Sequence, residues 1–436
     1  MVQELGEQLT PEYVIASLAA ARQACPDVAE PAGQVLARPA VLERLEPFHV
    51  WPYEPGRTAG LRTDISWSMD ELGPAEPATK DFLRIVGGAY LADRTVSRPR
   101  LAMRRDLHVI IHVENPDVWT EELLNQLADL LHWLTGDTWR ITTLATPPTP
   151  SQRSLDLVPV QTISLVSGGL DSLCGALLHL GDAATTLFLG HRDTSTAVSR
   201  AQTTIEDALR HRTSDVTYLR LAFRPLTARR EPTPRSRSLL FMAMATAVAS
   251  GHKATRILVP ENGFTSINRP LEPSRGGSLT TRSTHPWTFY TLQRLLDALP
   301  FDGVTISNPY AAMTKGDLVA AALAPASDGP DDDLGLAAAT VSCAKLNAGR
   351  LPGGNANLNC GLCIACLVRR SAFAGAQRQD RTRYLIDTVT GVALEKLRIC
   401  VGTTSPPGPT PPRPASTSTV SSPRDCGRRT PTSTRS

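Results

Sequence analysis

Thr162-Ile163-Ser164-Leu165-Val166-Ser167-Gly168-Gly169-Leu170-Asp171-Ser172 is the stretch that decides the fold. Residues 162–166 form a short run rich in β-branched and apolar residues, which reads as a buried strand. The two glycines allow a tight turn, and residues 172–180 follow with helical character. Strand, glycine turn and helix together make a device for holding phosphate. The glycines let successive backbone N–H groups approach an anion, and the helix adds its own N-terminal N–H groups and positive dipole end. Ser167 and Ser172 add hydroxyl donors, and Asp171 is suited to hold magnesium or to position the attacking group. A Walker loop needs a Lys directly after its second glycine, and Leu170 stands there instead. The plain alternative is an ordinary glycine turn with an N-capping serine; the flanking strand and helix favour the phosphate loop.

Downstream the same alternation repeats. Residues 186–190, 216–221 and 256–259 read as strands, 199–210 as a helix, and 239–249 as a buried helix too short to cross a bilayer. Strands alternating with helices predict an α/β fold with a doubly wound parallel sheet. Upstream, residues 1–150 have a logic of their own. Residues 106–113 alternate like a strand, 121–135 carry leucines at helical spacing, and 139–144 read as a further strand. Five of the six tryptophans (Trp51, Trp67, Trp119, Trp133, Trp139) fall here, which predicts a folded α+β N-terminal domain. The polar, Pro-rich run 145–151 reads as a linker, residues 151–335 as the phosphate-loop domain, 336–400 as a C-terminal module, and 401–436 as a disordered tail.

The formal net charge of +3 gives no whole-chain argument for nucleic-acid binding. The N-terminal residues lack the apolar core of a signal peptide, so a cytoplasmic location and no membrane partner are expected. In a reducing compartment clustered thiols favour metal over disulfide. Cys343, Cys360, Cys363 and Cys366 supply four ligands with C-x2-C spacing, which suits closed tetrahedral zinc; an iron–sulfur cluster would take comparable ligands. Cys174, on the helix after the glycine turn, reads as a packing residue.

With the loop and the cysteines in this order, residues 160–375 resemble the QueC family of 7-cyano-7-deazaguanine synthases, within the PP-loop ATP pyrophosphatase superfamily. Four anchors carry the resemblance: Ser167 to Ser172; Arg237-Ser238-Leu239-Leu240-Phe241; Asn308-Pro309-Tyr310 with Thr314-Lys315-Gly316-Asp317-Leu318; and Thr340-Val341-Ser342-Cys343 running to Cys366, Arg369 and Ala372-Phe373. The resemblance implies an ATP-dependent C–N ligase acting on a 7-deazaguanine carboxylate. The carboxylate is adenylated with loss of pyrophosphate, ammonia attacks the acyl-adenylate, and the amide is activated again and dehydrated to a nitrile. ATP, Mg2+ and Zn2+ are the implied cofactors. Asp171, Lys315 and Arg237 are the implied catalytic residues, and Ser167, Gly168, Gly169, Leu170, Asp171 and Ser172 the nucleotide-binding ones. Without the resemblance, Lys315 reads as a surface lysine in a helical turn and Arg237 as part of a solvated arginine-rich stretch.

Two departures matter. The simple enzymes of this family lack an N-terminal domain, and they carry a different loop where this chain has Glu261-Asn262-Gly263-Phe264-Thr265-Ser266-Ile267-Asn268 and Arg282-Ser283-Thr284-His285-Pro286. Both features resemble the QatC-like branch found in bacterial antiphage defence operons. The changed loop shifts the question to the acceptor: ammonia, or the amine of a protein, with partners from a defence complex and room for a homodimer. His285 is a candidate general base there, although a lone His in a polar loop is more often a hydrogen-bonding residue. Two other classes compete. A tRNA-modifying PP-loop enzyme of the thiolase type would want a strongly basic RNA surface, and a nucleotide-binding partner subunit of a defence complex would need no intact site.

Overall fold

The computed structural model describes residues 60–96, 98, 104–146, 157–192, 195–226, 231, 235–270, 281–324, 332–344 and 355–387, with 13–15 and 45–46 as backbone. Its strands are β1 (Tyr13–Ile15), β2 (Leu45–Glu46), β3 (Gly60–Thr63), β4 (Asp106–Val113), β5 (Thr138–Ala145), β6 (Thr162–Leu165), β7 (Thr186–Arg192), β8 (Thr217–Leu226), β9 (Arg256–Leu258) and β10 (Thr305–Ser307). Its α-helices are α1 (Pro77–Thr95), α2 (Glu121–Thr135), α3 (Leu170–Leu178), α4 (Thr196–Arg212), α5 (Arg237–His252), α6 (Gly263–Ile267), α7 (Pro286–Asp297), α8 (Lys315–Ala322), α9 (Asp333–Ala338) and α10 (Ile364–Gly375).

The expected buried strand is β6, and all four of its residues are buried. It lies at the centre of a sheet ordered β10-β9-β6-β7-β8-β3. The pairs from β10 to β8 are parallel, and β3 closes the edge antiparallel to β8. Alternation along the strands divides the core. Ile163, Leu165, Leu187 and Leu189 join one apolar cluster; Val166 and Phe188 join the other. The first cluster holds α5 and α7, the second α3, α8 and α10, so the sheet is covered on both faces. Each such fully buried aliphatic or aromatic side chain contributes about 1.5–3 kcal/mol. This is the α/β architecture with a mostly parallel sheet that the alternation predicted.

The chain leaves β6 through α3 to β7 on one side, while β9 flanks β6 on the other. The strand order therefore changes direction between β6 and β9, and the crevice at their carboxyl ends is where open α/β sheets take ligands.

A second sheet, ordered β2-β1-β4-β5, is wholly parallel. The N-terminal region is thus built on parallel strands, with α2 as the crossover from β4 to β5, and not on the segregated α+β plan expected of it. It also shares its core with the larger sheet. Phe82, Ile85 and Tyr90 of α1 sit in the same apolar cluster as Phe223 of β8 and Leu240 and Met244 of α5. Residues 60–63, from the same region, supply the edge strand β3. The linker expected at 145–151 lies largely, and the tail at 401–436 wholly, outside the described residues.

Charges as well as apolar groups join the two regions. Arg105, 1% exposed, donates from Nη2 to Asp93 and, at 2.6 Å, to Asp137, and both carboxylates are fully buried. Arg98 Nη1 reaches Asp137 at 2.7 Å. The other oxygen of Asp93 accepts the backbone N–H groups of Arg235 and Ser236 at 2.6 and 2.9 Å and the Ser236 hydroxyl at 2.8 Å. Burial opposes ionisation of Asp93, but Arg105 and these donors together hold its carboxyl below the usual range. The start of α5 is thereby tied to α1 of the N-terminal region.

Candidate functional site

The residues after β6 turn sharply at Gly168, whose φ of 86° lies in the left-handed region. A Cβ there would stand 3.2 Å from the Val198 carbonyl oxygen, so glycine is required on two counts. Gln202 of α4, fully buried, braces the turn by donating to the carbonyls of Val166 and His191 at 3.1 and 3.2 Å. Ser167 Oγ–H donates to Ser172 Oγ at 3.2 Å, and Ser172 Oγ–H donates to the Gly169 carbonyl at 3.0 Å. Gly169 is the N-cap of α3 and brings no side chain to cap it. The start of α3 thus has no side-chain cap, which leaves its N–H groups suited to an anion.

Asp171, in the first turn of α3, is buried and meets Lys315, the first residue of α8. Lys315 Nζ lies 2.9 Å from each carboxylate oxygen. Thr314 and Asp317 fix Lys315 through a reciprocal capping box, with bonds of 3.1 Å in both directions. Two residues to which the sequence reading gave no individual role complete it. Asn262, fully buried at the carboxyl end of β9, donates from Nδ2 to Asp171 Oδ2 at 2.7 Å and to Glu261 Oε1 at 3.2 Å. Asn308, after β10, accepts the Glu261 N–H at 3.3 Å and donates to Ser266 Oγ at 2.8 Å.

Two carboxyl groups and one ammonium share this space. Burial alone would raise the Asp171 carboxyl, but the Lys315 ammonium and hydrogen bonds from Glu261, Lys315 and Asn262 bring it down to about 2. Glu261 goes the other way: burial, the adjacent Asp171 charge and the hydrogen bond they share push it well above the ordinary carboxyl value. The two carboxyls are thus driven apart, Asp171 towards its charged form and Glu261 towards its protonated one. Burial opposes the Lys315 charge, and the two acids outweigh it, so its ammonium is held more firmly than usual.

The other expected site residues fall as follows. Arg237 opens α5, on the crossover from β8 to β9, and so starts at the same carboxyl edge, half-buried, on a different element from Asp171 and Lys315. His285 caps α7, its Nδ1 accepting the Trp287 N–H at 3.1 Å, and its ring packs 5.3 Å from that of Trp133. Burial and Arg282 lower its pKa, and its Nδ1 is engaged as the helix cap. Cys174 is fully buried, and burial pushes its thiol up, away from nucleophilic use.

The four cysteines come together. Their Sγ atoms all lie within 4.8 Å of one another, with Cys343–Cys363 and Cys360–Cys366 at 3.9 Å and Cys363–Cys366 at 3.5 Å. Tetrahedral zinc with Zn–S bonds of about 2.3 Å sets its ligands about 3.8 Å apart, which these separations fit. Backbone N–H groups of Cys360 and Cys363 donate to Cys343 Sγ and Cys360 Sγ at 3.3 Å, as ligating thiolates require. All four thiols are free of disulfides. Cys343, Cys360, Cys363 and Cys366 form a cluster able to hold a zinc ion. Cys25, Cys400 and Cys426 lie outside the described residues.

No helix among the described residues is long and apolar enough to cross a membrane. No protein-family profile matches the chain, and no curated protein matches it either.

Proposed function

We propose that the chain is a PP-loop ATP pyrophosphatase of the QueC-like type, which adenylates a 7-deazaguanine carboxylate and passes the acyl group to an amine. The observation that carries this reading is the contact between Asp171, at the end of the glycine turn, and Lys315, 144 residues away. A surface lysine would not be buried against that carboxylate; a lysine that serves the phosphates would. The turn, the start of α3 and Lys315 converge on the crevice where the strand order reverses.

In this reading the N–H groups at the start of α3, with Ser167 and Ser172, hold the β- and γ-phosphates, the part that departs as pyrophosphate. Lys315 releases Asp171 as nucleotide enters and turns to the phosphate charge that grows as the α–β bond breaks. Arg237 supplies a second cation from the start of α5. Asp171 and Glu261 offer oxygen donors that fit magnesium, which when bound neutralises phosphate charge and orients the nucleotide. Adenylation joins a carboxylate oxygen to the α-phosphorus and expels pyrophosphate. The amine then attacks the acyl carbon and AMP leaves. Zinc in the cysteine cluster would be structural. The departure from the family's sequence at Glu261 to Asn268, which follow β9, supports an acceptor other than free ammonia, such as a partner protein of a defence complex.

The test is incubation of the full chain with ATP, Mg2+ and 7-carboxy-7-deazaguanine, with and without an ammonium salt, and mass spectrometry of small molecules and of any co-purified protein. Formation of AMP and pyrophosphate dependent on the carboxylate supports the reading. A nitrile or amide product identifies ammonia as acceptor, and a mass increment on a protein identifies conjugation. Turnover of neither substrate would refute it.

A further inference from the structure

The cysteine cluster is mechanically joined to the glycine turn by bonds that neither role requires. Val341, two residues before Cys343, donates its N–H to the Gly168 carbonyl at 2.9 Å. The residues on both sides of Val341 are held from the cluster side. Arg369 of α10, fully buried, donates from Nη1 to Thr340 Oγ1 at 2.8 Å and to Ser342 Oγ at 3.0 Å. Asn359, beside Cys360, accepts the N–H groups of Ser342 and Cys343 at 3.0 Å with Oδ1 and donates to the Thr340 carbonyl at 3.3 Å.

A second link runs through the helices. Cys363 is the N-cap of α10 and Cys366 lies in its first turn, so a metal there would pin that end of the helix. α10 packs against α8, and α8 packs in turn against α3. The approach is close: a Cβ on Gly316 would stand 3.4 Å from the Ala372 carbonyl oxygen. Lys315 is the residue before Gly316. The cluster therefore grips the turn from one side through Val341 and addresses Asp171 from the other through Lys315.

We infer that the segment 340–343 is a strap by which metal occupancy of the cysteine cluster sets the conformation of the phosphate-binding turn, with Arg369 as its positioning residue. A tetrahedral thiolate site loses metal when its sulfurs are oxidised or a stronger chelator competes. Loss of metal would free Cys343 from Cys360 and Cys363, slacken the strap and release the Gly168 carbonyl. The consequence for activity rests on the proposed nucleotide site; the mechanical link does not.

The experiment is hydrogen exchange on the full chain, without nucleotide, read by peptide mass spectrometry. Zinc is quantified, removed with a chelator and restored with Zn2+ alone. Peptides covering 166–172 should exchange roughly tenfold faster after removal and return to their original rate on reloading, since one or two hydrogen bonds are at stake. Peptides covering β7 should not change. Acceleration confined to 340–344 and 355–366 would overturn the inference. Stripped protein that unfolds entirely would accelerate β7 too, so a second variant decides. T340V/S342A keeps all four cysteines and removes the Arg369 contacts to the strap, together with the Thr340 hydroxyl's bond to the Ala337 carbonyl. It should retain its zinc and still show the faster exchange at 166–172; retained zinc with an unchanged turn would overturn the inference. Because no nucleotide is present, a failure to bind or split ATP would refute the proposed function and leave this coupling standing.

Discussion

Replacing Lys315 by Met tests the central contact through stability, independently of any substrate. The ammonium lies 2.9 Å from both oxygens of Asp171, and the two side chains are only 12% and 6% exposed. At that distance and an effective dielectric near 20, the Coulomb attraction is about 6 kcal/mol, most of it offset by the cost of burying both ions. Removing one partner leaves a buried carboxylate beside Glu261, so Lys315→Met should lose about 3–5 kcal/mol near pH 8. The orphaned Asp171 has a carboxyl neighbour and no cation, so its pKa rises and the uncharged form becomes the stable one. The loss relative to the parent protein should therefore shrink as pH falls, by up to about 1.4 kcal/mol per unit within the titrating range. Asp171→Asn in the same chain removes the orphaned charge, and the double variant should be more stable than the two single losses summed, by about 2 kcal/mol or more. Urea unfolding followed by circular dichroism at pH 5 and pH 8 measures all four corners of the cycle. Additive losses, with no difference between the two pH values, would refute the argument that this is a buried, interdependent pair.

Other consequences follow from single residues. Glu261 has a raised carboxyl, so it stabilises the fold only while protonated; that contribution is complete below the ordinary value of 4.5 and is lost as pH rises through the folded value. Glu261→Gln should remove this fall, and stability curves of the two proteins that stay parallel above pH 5 would argue against a proton-bearing Glu261. Gly168→Ala should cost about 1–3 kcal/mol of strain at its positive φ, and weaken ATP binding measured calorimetrically while leaving zinc content unchanged. Asp93→Ala takes one of two carboxylates from buried Arg105 and leaves the N–H groups of Arg235 and Ser236 without their acceptor, and should lower stability by about 3–5 kcal/mol in a thermal or urea melt, against less than 1 kcal/mol for an exposed acid such as Glu121.

The parts of the molecule that were legible in the sequence are those whose signal is local. The apolar run at 162–166 and the glycines behind it are contiguous, so β6 and its turn follow from a few neighbouring residues. The leucines of α2 repeat at helical spacing, and 121–135 is the helix observed. The cysteines announce themselves by spacing. What was not legible depends on contacts between residues far apart in the chain. Glu261 and Asn262 stand in the segment singled out as altered, yet nothing local gives either one a role; they meet Asp171 only because β9, three residues long, pairs with β6 and delivers Asn262 to Asp171, 91 positions away. Arg105, Asp93 and Asp137 carry charge, which pattern reading assigns to the surface, yet they are buried because they satisfy one another. The parallel pairing of β4 with β5 was not predicted either, since the direction of pairing leaves no mark on a single strand's alternation. His285 shows the converse: its residue type suggests a proton carrier, and its position before Pro286 makes it a helix cap.

In the proposed reaction the turn at 167–172 and Lys315 split ATP between its α and β phosphates. ATP labelled at the α-phosphorus, incubated with the full chain, Mg2+ and 7-carboxy-7-deazaguanine, reads this directly. The account predicts label in AMP or in an adenylated carboxylate, with pyrophosphate released and both lost in Asp171→Asn and Lys315→Met. Label appearing only in ADP, with free phosphate as the other product, would contradict it.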